Sequence, residues 1–193
     1  FGGVVGAADG GAAEGWGVLM VAAQAADKPE AGWACELLRL ARYPSQNAAS
    51  ALARGARNDS GLIRLGASGG ARGLPPGPRW EVLQPLLTDS LLAVRASAAG
   101  GLAEVWAELS AEQQRELEPA LDDYIAAQEF NADRAAGRSN IANVHARRGD
   151  FATAESWDRD AVRIEPYFSP AWINLADVLI ATCRAGEADK LLG

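Results

Sequence analysis

Asn140, Asn143 and Arg147 stand three, four and seven positions apart, so a helix running through them presents all three on one face. Asn174 and Asp177 occupy the corresponding stretch of a second helix further on. Asparagine offers a donor and an acceptor, and arginine can hold a carboxylate through two parallel N–H bonds. The chemistry open to this set is recognition by hydrogen bonds and charge.

Covalent chemistry finds no comparable support. His145 is the single histidine. With neither a second histidine nor a cysteine close by in sequence, it suggests no metal centre and no Ser/His or Cys/His pair. Its place on a helix suits a packed core residue. The glycine runs Gly2-Gly3-Val4-Val5-Gly6 and Gly66 to Gly73 do not spell the G-x-G-x-x-G of a dinucleotide site, and no P-loop sequence occurs. The acidic pairs Asp122-Asp123 and Glu116/Glu118 fit the solvated face of an amphipathic helix. Asn58-Asp59-Ser60 is formally a glycosylation sequon, and Arg148-Gly149-Asp150 spells an adhesion tripeptide, but both coincide with turns between helices. The reading is of a non-enzyme, with no catalytic residue, cofactor site or metal site in this chain.

Cys35 and Cys183 lie far apart and in no C-x-x-C pair, so both are expected to be unpaired thiols packed in the core. A formal charge of −7, from 18 basic and 25 acidic residues, argues against nucleic acid or an anionic membrane as partner. The longest apolar stretch, Trp16 to Ala23, falls well short of the ~20 residues of a spanning helix, so no membrane insertion is expected. The chain starts at Phe1 and stops at Gly193 within a helical pattern, which reads as a piece of something longer.

The elements that must position these residues are helices. Alanine dominates a composition that is 49% hydrophobic and only 7% aromatic, as stacked helices require. Helices are expected near 31–42, 46–57, 61–73, 79–88, 91–106, 111–130, 135–148, 151–164, 170–182 and from 187 onward. Residues 2–15 read as a frayed helix and loop, and Trp16 to Ala26 as a further short helix. Ser110 with Gln113 has the form of a capping box at the junction of two arrays. The long helix beginning there is expected to dock one array onto the other.

From residue 120 onward like residues recur every 34 positions: Ala120, Ala154 and Ala188 in one series, Ala127 and Ala161 in another. The middle unit, Ala135 to Phe168, carries Ile141 and Ala142 on its first helix and Gly149-Asp150 at the turn. Ala154, Trp157 and Ala161 follow on the second helix, and Pro166 closes the unit. Trp172, Leu175 and Ala176 take the equivalent first-helix places in the next unit, while Cys183 stands where the turn glycine is expected. Small residues let antiparallel helices approach, and glycine permits the left-handed turn. A unit that cannot bury its apolar face alone must stack on others.

This half resembles the tetratricopeptide repeat. The resemblance implies a concave groove lined by first helices, where polar side chains hold peptides. Asn143 and Asn174 match two positions of the carboxylate clamp found in some members, but Ser139 stands where that clamp has lysine.

In the first half the interval is 31, from Trp33 to Arg64 to Arg95. Acidic residues precede these positions: Asp27 and Asp89 by six, Asp59 by five. Ala67 pairs with Ala98 and Gly70 with Gly101, and Pro75-Pro76-Gly77-Pro78 reads as a breaker between units. An acidic residue at the turn and an arginine one helical turn later resemble the HEAT repeat, in which carboxylate and guanidinium of neighbouring units form a ladder. Trp33 replaces the first arginine. Gly66, Gly69, Gly70, Gly100 and Gly101 inside helices each cost up to about 1 kcal/mol against alanine, marking a degenerate array.

The expected fold is therefore all-α, an α-solenoid with HEAT-like repeats over 1–108 and tetratricopeptide-type repeats over 109–193. Tyr43-Pro44-Ser45, the Asp89–Arg95 unit, and Tyr124-Ile125-Ala126-Ala127-Gln128 through Asn131-Ala132-Asp133-Arg134 are similar to the C-terminal region of bacterial multihaem c-type cytochromes that carry tetratricopeptide repeats. That resemblance implies a periplasmic or extracellular setting, with c-type haem in a segment upstream of Phe1; a cytoplasmic setting is the alternative. Two functions follow. One is an interaction scaffold for a protein or peptide partner, acting as an assembly subunit of a larger complex, with Asn140, Asn143, Arg147, Asn174 and Asp177 as groove residues. The other is an accessory segment of an electron-transfer cytochrome.

Overall fold

The computed structural model describes residues 29–192. Every regular element among them is helical. The expectations for residues 2–15, Trp16 to Ala26 and Asp27 lie outside the described residues. Contacts divide the chain into two compact units, Phe1–Ala120 and Leu121–Gly193.

The first unit contains α1 (Glu30–Arg39), α2 (Gln46–Gly55), α3 (Gly61–Ala71), α4 (Pro76–Leu83) and α5 (Leu92–Ala103). Short 3₁₀ turns follow α1, α4 and α5, at Leu40–Arg42, Gln84–Leu86 and Trp106–Glu108. The start of α2 is set by Ser45, whose side chain accepts from the Ala48 amide. Pro75 and Pro76 stand at the break between α3 and α4: Pro75 precedes α4, and Pro76 opens it. Proline suits a first helical position because its missing N–H would have had no partner there, and Gly77 and Pro78 continue the turn.

α1 packs on α3 and α3 on α5, while α2 and α4 pack on each other and on α3. The core between them is aliphatic, with Leu37, Leu40, Leu52, Leu83, Leu86 and Leu102 fully buried. Each such side chain contributes about 1.5–3 kcal/mol by leaving water.

The helix glycines correct the expectation that they only weaken this half. A Cβ at Gly66 would lie 2.5 Å from the Ala34 carbonyl oxygen, and one at Gly70 would collide with the Leu37 carbonyl. Gly73, just past α3, is closed off in the same way by Ala41. The backbones of α1 and α3 therefore touch where a side chain would hold them apart.

The 31-residue interval is visible in the turns. Asn58 accepts from the Ser60 amide at 2.9 Å, and Asp89 accepts from the Leu91 amide at 2.9 Å. Arg64 donates to the Asn58 carbonyl at 2.9 Å, and Arg95 to the Asp89 carbonyl at 2.6 Å. The residue equivalent to Asp89 is thus Asn58, not Asp59. The Asp89 carboxylate meets Arg64 of the preceding helix pair through two bonds of 2.5 and 3.0 Å. This pair holds the Asp89 carboxyl below its ordinary value, the Arg64 hydrogen bond acting most strongly.

α6 (Ala111–Glu129) opens with the expected capping box. The Gln113 amide donates to Ser110 Oγ at 3.3 Å, and the Ser110 amide donates to Gln113 Oε1 at 2.9 Å. The division between units falls within this helix.

The second unit continues with α7 (Ala135–Arg147), α8 (Phe151–Ile164), α9 (Ser169–Ala181) and α10 (Ala185–Leu192). Each packs on the next, and α7 also reaches α9. Ala135, Ile141, Ala142, Ala154, Ala161, Ala171 and Leu175 are fully buried, the small ones allowing close helix contact. Asp150 caps α8 by accepting from the Thr153 amide. His145 is half-buried at the end of α7 rather than a packed core residue, its Nδ1 3.2 Å from the Asp150 carboxylate. Cys35 and Cys183 are free thiols but both are exposed, against the expectation of packed ones. Among the described residues no helix is long and apolar enough to cross a membrane.

Candidate functional site

α7, α8 and α9 enclose an open groove of about 290 Å³. Asn143, Ala146 and Arg147 line it from α7, Phe151 and Asp158 from α8, and Asn174, Asp177, Val178 and Ala181 from α9. Four of the five residues singled out for recognition meet here, because α7 and α9 lie side by side and present matching faces. Asn143, Arg147 and Asp177 are exposed along the groove, and Asn174 is half-buried. Asn140 is placed elsewhere: its amide donates to Gln128 Oε1 at 2.9 Å, and it does not line the groove.

Below the exposed residues lies a buried relay. Asn174 Nδ2 donates to Ser139 Oγ at 2.8 Å, and Ser139 Oγ donates to Asp158 Oδ1 at 3.1 Å. Ser139 is 3% exposed and Asp158 only 1%. The Ser139 hydroxyl is thus already committed to a carboxylate of this chain. Burial pushes the Asp158 carboxyl up to about 7, opposed only in part by the Ser139 hydrogen bond. The relay also fixes Asn174: with its amide donating inward, Oδ1 is left as an acceptor.

Charged pairs link the helices around the groove to one another. Arg138 lies over the Trp157 ring, 5.6 Å from its centroid, and reaches Asp160 at 3.3 Å. Arg184 joins Glu155 and Glu187, both at 2.7 Å. Arg159, one turn along α8, bonds the same Glu155 at 2.7 Å.

Asp158 is the residue that attention to exposed polar side chains passes over. Its signal was present: Ala154, Asp158 and Ala161 stand at i, i+4 and i+7, so a carboxylate interrupts the inward face of a helix whose neighbours there are alanines. Among the described residues no group of three or more His, Cys, Asp or Glu side chains converges as a metal site would require. The chain matches no family model, no curated protein and no solved structure.

Proposed function

We propose that this chain is an interaction scaffold of stacked helix pairs, an α-solenoid with HEAT-like pairs followed by tetratricopeptide-type pairs, whose groove between α7, α8 and α9 receives a segment of a protein partner. The observation that carries this reading is the convergence of Asn143, Arg147, Asn174 and Asp177 on one open groove. Donors and acceptors are both offered there, as an extended backbone with its alternating C=O and N–H requires. Ile173 and Ile180 are each 56% exposed on α9, four and three positions from Asp177. They give the same helix face an apolar margin for a partner side chain. The packing of each helix on the next, and of α7 on α9, supports the solenoid reading.

The test is selection of phage-displayed random peptides on the whole chain. Asn143→Ala combined with Arg147→Ala removes two exposed groove side chains without touching the buried relay. Roughly tenfold weaker capture is expected, the range for lost hydrogen bonds to a charged group. Equal capture by parent and variant, with helical circular dichroism unchanged in both, would remove the groove from the proposal.

A further inference from the structure

Asp158 presents a physical difficulty that its neighbours do not resolve. Aspartate is almost never fully buried without a partner of opposite charge. Here Oδ1 takes one hydrogen bond from Ser139, and among the described residues Oδ2 takes none. Among the described residues no salt bridge reaches this carboxylate, although Arg147 lines the same groove. Asp177 adds a second carboxylate to the lining, and Asn174 Oδ1 adds an acceptor. With Asp158 ionised, the lining carries two negative groups against one positive.

We infer that the groove recognises a basic side chain, lysine or arginine, of the bound peptide, with Asp158 as the buried acceptor and Asp177 as the exposed one. This rests on the peptide-binding reading above and names what that peptide must carry. At about 290 Å³ the groove is smaller than most drug-sized pockets, which span about 300–1,000 Å³, and it suits one long side chain entering end-on. The cation completes the pairing that the fold leaves open at Asp158. Asn143 and Arg147, on the opposite wall, are donors for the peptide carbonyls beside the basic residue.

The experiment compares random-heptapeptide phage selection on the parent chain and on Asp158→Asn, with folding of both checked by circular dichroism. Asparagine keeps the shape and can still accept from Ser139. The parent is expected to enrich peptides with lysine or arginine at one fixed position. A synthetic peptide from that pool should bind Asp158→Asn roughly tenfold or more weakly, and its norleucine replacement should bind the parent equally weakly. Peptides captured without a fixed basic residue, or captured equally by Asp158→Asn, overturn this inference and leave the scaffold standing. No peptide captured by the parent overturns both.

Discussion

Gly149 and Cys183, 34 residues apart, close their helices in the same way. Both have left-handed backbone, with φ of 83° and 61°. The Asp150 amide donates to the His145 carbonyl at 2.9 Å, and the Arg184 amide to the Leu179 carbonyl at 2.8 Å, each bridging five residues. This is the bond of a glycine-terminated helix end. Cys183 makes it despite a Cβ that crowds the backbone.

Left-handed backbone costs an L-residue roughly 1–2 kcal/mol, which glycine avoids. Cys183→Gly should therefore raise the melting temperature, by roughly 2–4 °C per kcal/mol in a chain of this size. Gly149→Ala should lower it by a similar amount. Thermal melts followed by circular dichroism check both, and an unchanged midpoint for Cys183→Gly would mean that the turn carries no strain.

Gly70→Ala should destabilise despite the better helix propensity of alanine, because the new methyl meets the Leu37 carbonyl. Overpacking of this kind costs about 1–3 kcal/mol. Gly77→Ala in α4 is the control. Nothing lies within 4 Å of a Cβ there, so propensity alone acts, worth at most about 1 kcal/mol of gain. Urea titrations of the two variants should move in opposite directions.

Arg64→Ala strands the Asp89 carboxylate, whose side chain is only 7% exposed, and should cost about 1.5–3 kcal/mol. The sign with pH follows from the direction of the shift. Asp89 is held below its ordinary value of 3.8 in the folded chain. Its contribution is present at higher pH and is lost as pH falls through the folded value, because the unfolded chain takes up the proton first. Acid titration should show the parent losing its advantage over Arg64→Ala as the pH drops below about 4.

Asp158 gives the opposite sign. Its carboxyl is raised to about 7 in the folded chain, so folding retains a proton that the unfolded chain has released. That contribution is whole below about pH 4 and is lost as pH rises through about 7. The depressed carboxylates Asp89, Asp150, Glu155 and Glu187 act below this window. The melting temperature of the parent should fall more between pH 5 and pH 8 than that of Asp158→Asn, the difference between the two isolating this carboxyl from Arg147, Asp177 and every other charged group nearby. Parallel profiles would show that the Asp158 carboxyl is not held in dry surroundings.

Periodicity made the helices legible, since alanines at regular intervals and an acidic turn residue followed by arginine are local signals that survive without neighbours. The groove set was legible for the same reason: Asn143, Arg147, Asn174 and Asp177 all fall on one face of each helix. Asn140 fell on that face by spacing too, yet Gln128, near the end of α6, draws it away. Spacing also could not tell that the helix after the break at Pro75 begins at Pro76, ahead of Gly77 and Pro78. It could not tell either that Gly66 and Gly70 meet a backbone, because each depends on what packs opposite. Asp89 lies between the two cases: the pattern pointed to a guanidinium of a neighbouring unit, and packing brings Arg64, 25 residues back, onto its carboxylate.

The touching backbones of α1 and α3 have one more effect. With Gly66 against Ala34 and Gly70 against Leu37, the two helices sit where no side chain stands between them. Turning α3 about its own axis by one residue would bring Leu65 or Ala67, each with a Cβ, against the carbonyls that glycine now clears. The contact behaves as a notch, and a side chain in place of either glycine would have to lift the two helices apart.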